Sequence, residues 1–130
     1  MNNKDIIYIV SGDEMKKMMD KLYPDYVSIP FREDFSKGLV DSYSFTDDFI
    51  KARASLFGVS NDCYYHNLKS IINIDLSKDY ILVFGEDDCC KSNLNFLINY
   101  FKGKNYHKPL KVKIVNEYSL QLLNEYDVVL

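Results

Sequence analysis

Acidic residues follow three apolar segments of this sequence, and their chemistry is that of a site for a divalent cation or a phosphorylated molecule. They are Asp13 after residues 6–10, Glu33 and Asp34 after residues 26–29, and Glu86 and Asp87 after residues 80–84. Carboxylates that converge repel one another or recruit a cation, and ligands that are all oxygen favour Mg²⁺ or Mn²⁺ over zinc. If a metal binds, we expect its ligands to be Asp13, Asp34 and Glu86.

Basic residues and glycines in the same segments add the features of an anion site. An arginine would clamp an anionic group, and a glycine lets the backbone approach a phosphate at a helix N-terminus. The candidate ligand-binding rim is therefore Gly12, Asp13, Arg32, Glu33, Asp34, Arg53, Gly85, Glu86, Asp87 and Asn93. With a metal, such a set suits phosphoryl transfer or phosphodiester hydrolysis. Because neither G-x-G-x-x-G nor the Walker pattern occurs, a mononucleotide or other phosphorylated molecule is favoured over a dinucleotide.

The same acidic residues also have a structural explanation. Asp13 and either Asp87 or Asp88 are well placed to cap helices, and Glu33-Asp34 lies in a loop, where charge is common. The two explanations differ in whether these side chains face one pocket or cap separate helices.

The elements that would position these residues alternate between strands and helices. Residues 80–84 form a continuous apolar run typical of a buried strand, and apolar residues then recur at helical spacing as far as Phe101. Residues 6–10 and 26–29 are predicted as strands joined by a helix that Asp13 caps. Helical crossovers join parallel strands, so we expect these three strands to be parallel, with residues 6–10 beside both others.

The sequence thus predicts one α/β domain over residues 1–130, either complete or the N-terminal domain of a longer protein. We expect three layers, with helices on both faces of a mostly parallel sheet of four or five strands, as in Rossmann-like or flavodoxin-like folds. Lysines alternate with apolar residues over residues 111–115, which predicts an edge or half-exposed strand. Residues 119–126 are predicted as a short helix.

The cysteines predict a reducing cytoplasm. The chain has three of them, and Cys89 and Cys90 are adjacent, which is a poor basis for disulfides. A signal-peptide pattern and the ~20 consecutive apolar residues needed to span a bilayer are both missing from the sequence. A helix start favours a reactive thiolate, but nearby aspartates oppose it and Cys90 falls on the apolar stripe, so core packing is favoured for this pair.

Five lysines lie in residues 102–113, interleaved with Tyr106 and His107. Positive charge with an aromatic residue is typical of a nucleic-acid patch, and equally of a solvated segment beside a sheet edge. Since the whole chain carries a net charge of −3, the second interpretation is favoured, and nucleic acid is not expected as a partner.

Three stretches in order resemble the bacterial DUF1835 family, a domain of unknown function. They are IVSGD at residues 9–13, REDFSKG at residues 32–38, and FGED at residues 84–87 followed by Cys90, Asn93 and Leu94. The resemblance extends over roughly residues 5–116. It implies a bacterial cytoplasmic protein with an α/β fold, and it implies no particular reaction.

Two classes of function therefore stay open. The first is a domain that binds or acts on a phosphorylated or nucleotide-like ligand at the carboxyl ends of the strands, with Mg²⁺ or Mn²⁺ as the cation it would use. The second is a non-catalytic domain whose rim docks a protein or nucleic acid. The sequence specifies neither a substrate nor an oligomeric state.

Overall fold

The structure is a computed structural model that describes residues 5–130. Its strands are β1 (Ile6–Val10), β2 (Val27–Pro30), β3 (Asp79–Phe84), β4 (Leu110–Val115) and β5 (Leu122–Val128). Its helices are α1 (Asp13–Leu22), α2 (Asp47–Phe57), α3 (Asn61–Ile72) and α4 (Asp88–Gly103). No helix within this described range is long and apolar enough to cross a membrane.

The strands form one sheet in the order β2-β1-β3-β4-β5. The first four are parallel, and β5 pairs antiparallel with β4. The prediction that the first three strands are parallel, with β1 beside both others, is confirmed. The α/β class with a mostly parallel five-stranded sheet is also confirmed.

Helices cover the two faces of the sheet unequally. On one face, α2, α3 and α4 bury an aromatic core in which the Phe96 ring stacks on Phe35 with ring centres 3.9 Å apart. On the other face, α1 packs Met15 and Met19 against a smaller core that includes Val10 and Val83. The layers are thus three, with one helix on one face and three on the other.

The structure decides two expectations about the last third of the chain. Residues 111–115 form the half-exposed strand that was one of the two predicted alternatives; the other, an edge strand, is wrong, because β4 lies between β3 and β5. The segment predicted as a helix over residues 119–126 is instead a turn followed by β5. Lysines alternate along β4 because α4 covers one of its faces, where Leu110 and Val112 are fully buried, while the lysines lie on the face that α1 leaves open.

Candidate functional site

The carboxyl ends of the four parallel strands meet at one edge of the sheet. The segments that follow them carry Ser11 and Gly12 after β1, Arg32 to Asp34 after β2, Gly85 to Asp87 after β3, and Glu117 after β4. In open α/β sheets this edge is the usual place for a ligand.

Glu33 and Arg53 form a buried ion pair instead of facing a ligand. The Arg53 Nη2 and Nε atoms donate to the Glu33 carboxylate at 2.6 and 3.0 Å, and the Tyr64 hydroxyl donates to the same carboxylate. Arg53 also donates to the carbonyl oxygens of Asp34 and Lys37. Its side chain is 3% exposed, so the guanidinium is fully used within the protein. Burial acts to lower the pKa of Arg53, but the bonds and charge of Glu33 outweigh it and leave the pKa raised.

Asn93 holds the same loop from the side of α4. Its Oδ1 accepts a bond from the Phe35 amide at 2.8 Å, and its Nδ2 donates to the Glu33 carbonyl at 2.6 Å. The residue is 1% exposed. Because both ends of the side chain are bonded to the backbone, Asn93 positions the loop after β2 and is not placed to touch a ligand.

The Asp34 carboxylate also accepts hydrogen bonds from within its own loop. Its Oδ1 accepts bonds from the Ser36 amide at 3.0 Å and from the Ser36 hydroxyl. Burial acts to raise the pKa of Asp34, but the bonds from Ser36 and from the Cys89 thiol leave it lowered. Burial, followed by Asp34, raises the pKa of Cys89 to about 12, so the thiol keeps its proton.

Asp87 and Glu117 form the group of carboxylates that converges at this edge. One donor atom from each, with the Cys90 sulfur, lies within 4.8 Å of the others. Asp87 caps α4 as predicted, accepting a bond from the Cys90 amide at 2.7 Å. That bond is the main cause of the lowered pKa of Asp87, whereas a hydrogen bond shared with Asp87 is the main cause of the raised pKa of Glu117. Of the two carboxyl groups, Glu117 is therefore the one that keeps its proton to higher pH.

Neither cysteine at this edge has the properties of a nucleophile. Burial raises the pKa of Cys90 to about 11, with a further contribution from Asp87. A thiol is a weak nucleophile until it loses its proton. The burial of Cys90 fits the predicted role in core packing, whereas Cys89 is only partly buried.

A hollow of about 540 Å³ lies between the start of α1 and the loop after β4. Gly12, not Asp13 as predicted, occupies the N-cap of α1, so no side chain caps the first amides of this helix. Asp13 is the first helical residue and forms an exposed ion pair with Arg32, with the Arg32 Nη2 atom 3.0 Å from the Asp13 Oδ1 atom. Glu117 and Tyr118 line the opposite side of the hollow.

Glu86 is exposed and lines a different hollow, beside Gly85, Lys91 and Tyr126. The predicted metal ligands Asp13, Asp34 and Glu86 are thus not the residues that come together; within residues 5–130 the group that does is Asp87, Cys90 and Glu117. The position of Glu117 at this edge could have been predicted from the sequence. It follows the predicted strand 111–115, and treating that strand as parallel to residues 80–84 would have placed Glu117 at the same edge.

Comparison of the chain with protein-family models, with curated protein sequences and with solved structures found no match. The resemblance to the DUF1835 family therefore stays a prediction.

Proposed function

We propose that this protein binds a small phosphorylated ligand through a divalent cation at the carboxyl edge of its parallel strands. The observation that carries the proposal is the convergence of Asp87 and Glu117 beside the hollow at the uncapped start of α1. The strand order β2-β1-β3-β4-β5 supports it, since the flavodoxin-like fold has this order and binds its cofactor at the switch point between the adjacent strands β1 and β3, although β5 is antiparallel to β4 here. The DUF1835 resemblance is part of this proposal and adds no reaction to it.

The cation would lie between the carboxylates of Asp87 and Glu117 and would offset their mutual repulsion. Two carboxylates satisfy part of the coordination of Mg²⁺ or Mn²⁺, which usually completes it with water and ligand phosphate oxygens. The first amides of α1 would then face the phosphate, as helix N-termini do at other anion sites. The positively charged side chain of Arg32 lies near the first amides of α1 and is accessible, with 44% of its surface exposed.

A phosphate without a cation would be repelled here. Asp13 and Glu14 lie in the first turn of α1, and Glu117 lines the same hollow. We therefore expect phosphate binding to depend strictly on the cation, and cation binding to weaken at low pH, where both carboxyl groups hold protons.

The first test measures Mn²⁺ binding by the loss of the electron paramagnetic resonance signal of the free ion. We expect Glu117→Gln and Asp87→Asn to weaken binding about tenfold or more, a loss of about 1.4 kcal/mol. Asparagine remains a good helix N-cap, so Asp87→Asn keeps the start of α4 intact. The matched control is Glu86→Gln, which removes an exposed carboxylate next to the cluster and should leave Mn²⁺ affinity unchanged. Weaker binding in Glu86→Gln with no change in Glu117→Gln would favour the ligands predicted from the sequence instead.

The second test concerns the phosphorylated ligand and uses adenosine monophosphate with adenosine as its control. Calorimetry should detect binding of adenosine monophosphate only when Mg²⁺ or Mn²⁺ is present. It should detect no binding of adenosine with or without the cation. Equal binding of both compounds, or binding of the phosphate without a cation, contradicts the proposed role of the metal.

A non-catalytic interaction domain is the second candidate, and β5 is the observation that favours it. This edge strand leaves Leu122 and Leu123 about half exposed and Tyr126 exposed as well. A partner strand could add to it through main-chain bonds. Protection of the β5 amides from hydrogen exchange at high protein concentration, absent on dilution, would support this candidate.

A further inference from the structure

The face of the sheet that carries α1 holds a second hollow, separate from the carboxyl edge. It has a volume of about 340 Å³ and lies between α1 and the hairpin of β4 and β5. This volume is near the lower end of the range for small-molecule sites, which is about 300–1,000 Å³. The residues that carry the argument are Tyr8, Tyr26, Val83, Lys113 and Val115.

Stacked tyrosines form one wall of this hollow. The rings of Tyr8 and Tyr26 lie 5.0 Å apart and almost parallel at 9°, and Tyr23 stacks on Tyr26 at 5.3 Å. Tyr8 is buried, while Tyr23 and Tyr26 are partly open to solvent. Val83 and Val115, both buried, complete the apolar lining. Flat aromatic surface with apolar neighbours suits a planar ring, because offset stacking adds to the burial of area.

Lys113 supplies the one cationic group among the residues that line this hollow. Its ammonium lies 5.9 Å from the centre of the Tyr8 ring. Lys111 lies two residues earlier on the same side of β4, and it is paired with Glu125 at 3.1 Å and with Asp127 at 3.9 Å. Lys113 has no carboxylate within 4.0 Å in residues 5–130. An ammonium beside an aromatic, apolar wall is complementary to a ligand that carries its own negative charge.

We propose that this hollow binds a small planar aromatic carboxylate, with its ring against the tyrosines and its carboxylate at Lys113. The proposal is independent of the carboxyl-edge site, since none of the residues that carry it belongs to that site. A second copy of the chain is the other occupant that an open sheet face admits, and the test below distinguishes the two.

Cinnamate and cinnamamide are suitable probes, because they have the same shape and differ in charge. Each is titrated into isotopically labelled protein at about 0.15 M salt, and amide chemical shifts are followed by NMR. We expect cinnamate to shift the amides of residues around the hollow in a saturable way, with affinity about fivefold or more above that of cinnamamide. Comparable affinities for the two probes, or no saturable shift with cinnamate, would overturn the proposal.

Two lysine variants provide the matched comparison. Lys113→Met removes the charge and keeps an unbranched apolar chain, and it should reduce cinnamate binding to the level of cinnamamide. Lys111→Met removes the neighbouring, already paired lysine and should preserve the difference between the probes. If Lys113→Met folds poorly, as judged by its thermal midpoint, Tyr26→Leu replaces it and should weaken both probes alike. Concentration-dependent shifts of the same amides without any probe would show that a second copy covers the face, and would also overturn the proposal.

Discussion

At the scale of single residues, the buried pair of Glu33 and Arg53 explains why charged loop residues need not form a ligand site. Both side chains are almost fully buried, and each is bonded to the other and to neighbouring groups. Removing one partner from such a pair leaves an uncompensated charge in the interior, which costs far more than the pair itself contributes.

The first prediction follows from that asymmetry. Arg53→Met should lower the free energy of unfolding by about 3–5 kcal/mol, because Glu33 would be left buried without its cation. The double variant Glu33→Gln with Arg53→Met should recover part of this loss. Urea denaturation measures both. A loss below about 1 kcal/mol in Arg53→Met would mean that Glu33 reaches solvent and that the loop is not held as described.

The second prediction concerns the pH dependence of the Asp87–Glu117 pair. The bond to Asp87 raises the pKa of Glu117. The stability that this interaction contributes is therefore complete below the usual glutamate pKa of 4.5 and is lost as the pH rises through the raised pKa. Asp87 has a lowered pKa, mainly through the Cys90 amide, and its contribution is lost only as pH falls through that lowered value. Glutamine at position 117 keeps a hydrogen-bond donor at every pH. Stability of Glu117→Gln relative to the natural chain should therefore rise as the pH increases above 4.5.

Thermal midpoints over this range of pH, without added divalent ions, measure the difference. Glu86→Gln again serves as the control and should give a curve parallel to that of the natural chain. Parallel curves for Glu117→Gln as well would show that the two carboxyl groups do not share a proton.

Local patterns in the sequence can indicate a helix cap at this edge, but not the bonds between distant segments. Either Asp87 or Asp88 was predicted as the cap of α4, and Asp87 is that cap; Asp13 was predicted as the cap of α1 and is instead its first helical residue. The bonds of Glu33 and Asn93 depend on partners 20 and 60 residues away, which no local pattern indicates.

At the scale of elements, the loop after β2 is shaped by its contacts with α2 and α4. Gly38 has a positive φ of 77°, and a Cβ there would lie 2.6 Å from the Leu56 Cδ2 atom and 3.0 Å from the Arg53 Nη1 atom. The positive φ therefore favours glycine at this position, and a side chain there would also have to displace the end of Leu56. The loop turns over the buried arginine, while Asn93 fixes its other side.

The third prediction tests this attachment. Asn93→Ala should lower stability by about 1–3 kcal/mol, because the Phe35 amide and the Glu33 carbonyl would lose their partner in a buried place. The substitution should increase the hydrogen-exchange rate of the Phe35 amide more than that of amides in β1. Asn95→Ala on the exposed side of α4 is the control, and a similar loss in both variants would contradict a specific role for Asn93.

Strand assignments succeeded where apolar runs were continuous and failed near the end of the chain. Most of residues 6–10 and 80–84 are buried, so their apolar composition alone indicates a strand. The turn before β5 depends on Asn116, whose side chain accepts a bond from the Tyr118 amide and whose carbonyl accepts one from Leu120. Leu120 adopts a positive φ of 61° there, a conformation uncommon for leucine, so residue preferences favoured a helix instead.

At the scale of the whole molecule, the acidic net charge opposes the binding of nucleic acid, whereas the basic segment would favour it. The segment over residues 102–113 is the part of the chain with the composition of a nucleic-acid patch. In the structure, Lys108 pairs with Asp79 at 3.4 Å, and Lys111 pairs with two acidic residues of β5. Lys104 lies over the ring of Tyr100. Two of the five lysines in the segment, Lys108 and Lys111, thus have carboxylate partners within the protein.

The last prediction is that the protein does not bind nucleic acid measurably at physiological salt. A nucleic-acid complex gains affinity by releasing counterions from phosphates, and lysines that already have carboxylate partners must give these up first. Fluorescence anisotropy with a short labelled oligonucleotide should show no change at about 0.15 M salt and at most a weak signal at low salt. Replacing Lys104, Lys108 and Lys111 with Gln should leave the absence of binding at about 0.15 M salt unchanged, and Glu125→Gln with Asp127→Asn should increase the low-salt signal by freeing Lys111. A sub-micromolar complex whose affinity falls steeply with salt, and whose salt dependence flattens in the triple variant, would instead make this segment a nucleic-acid interface.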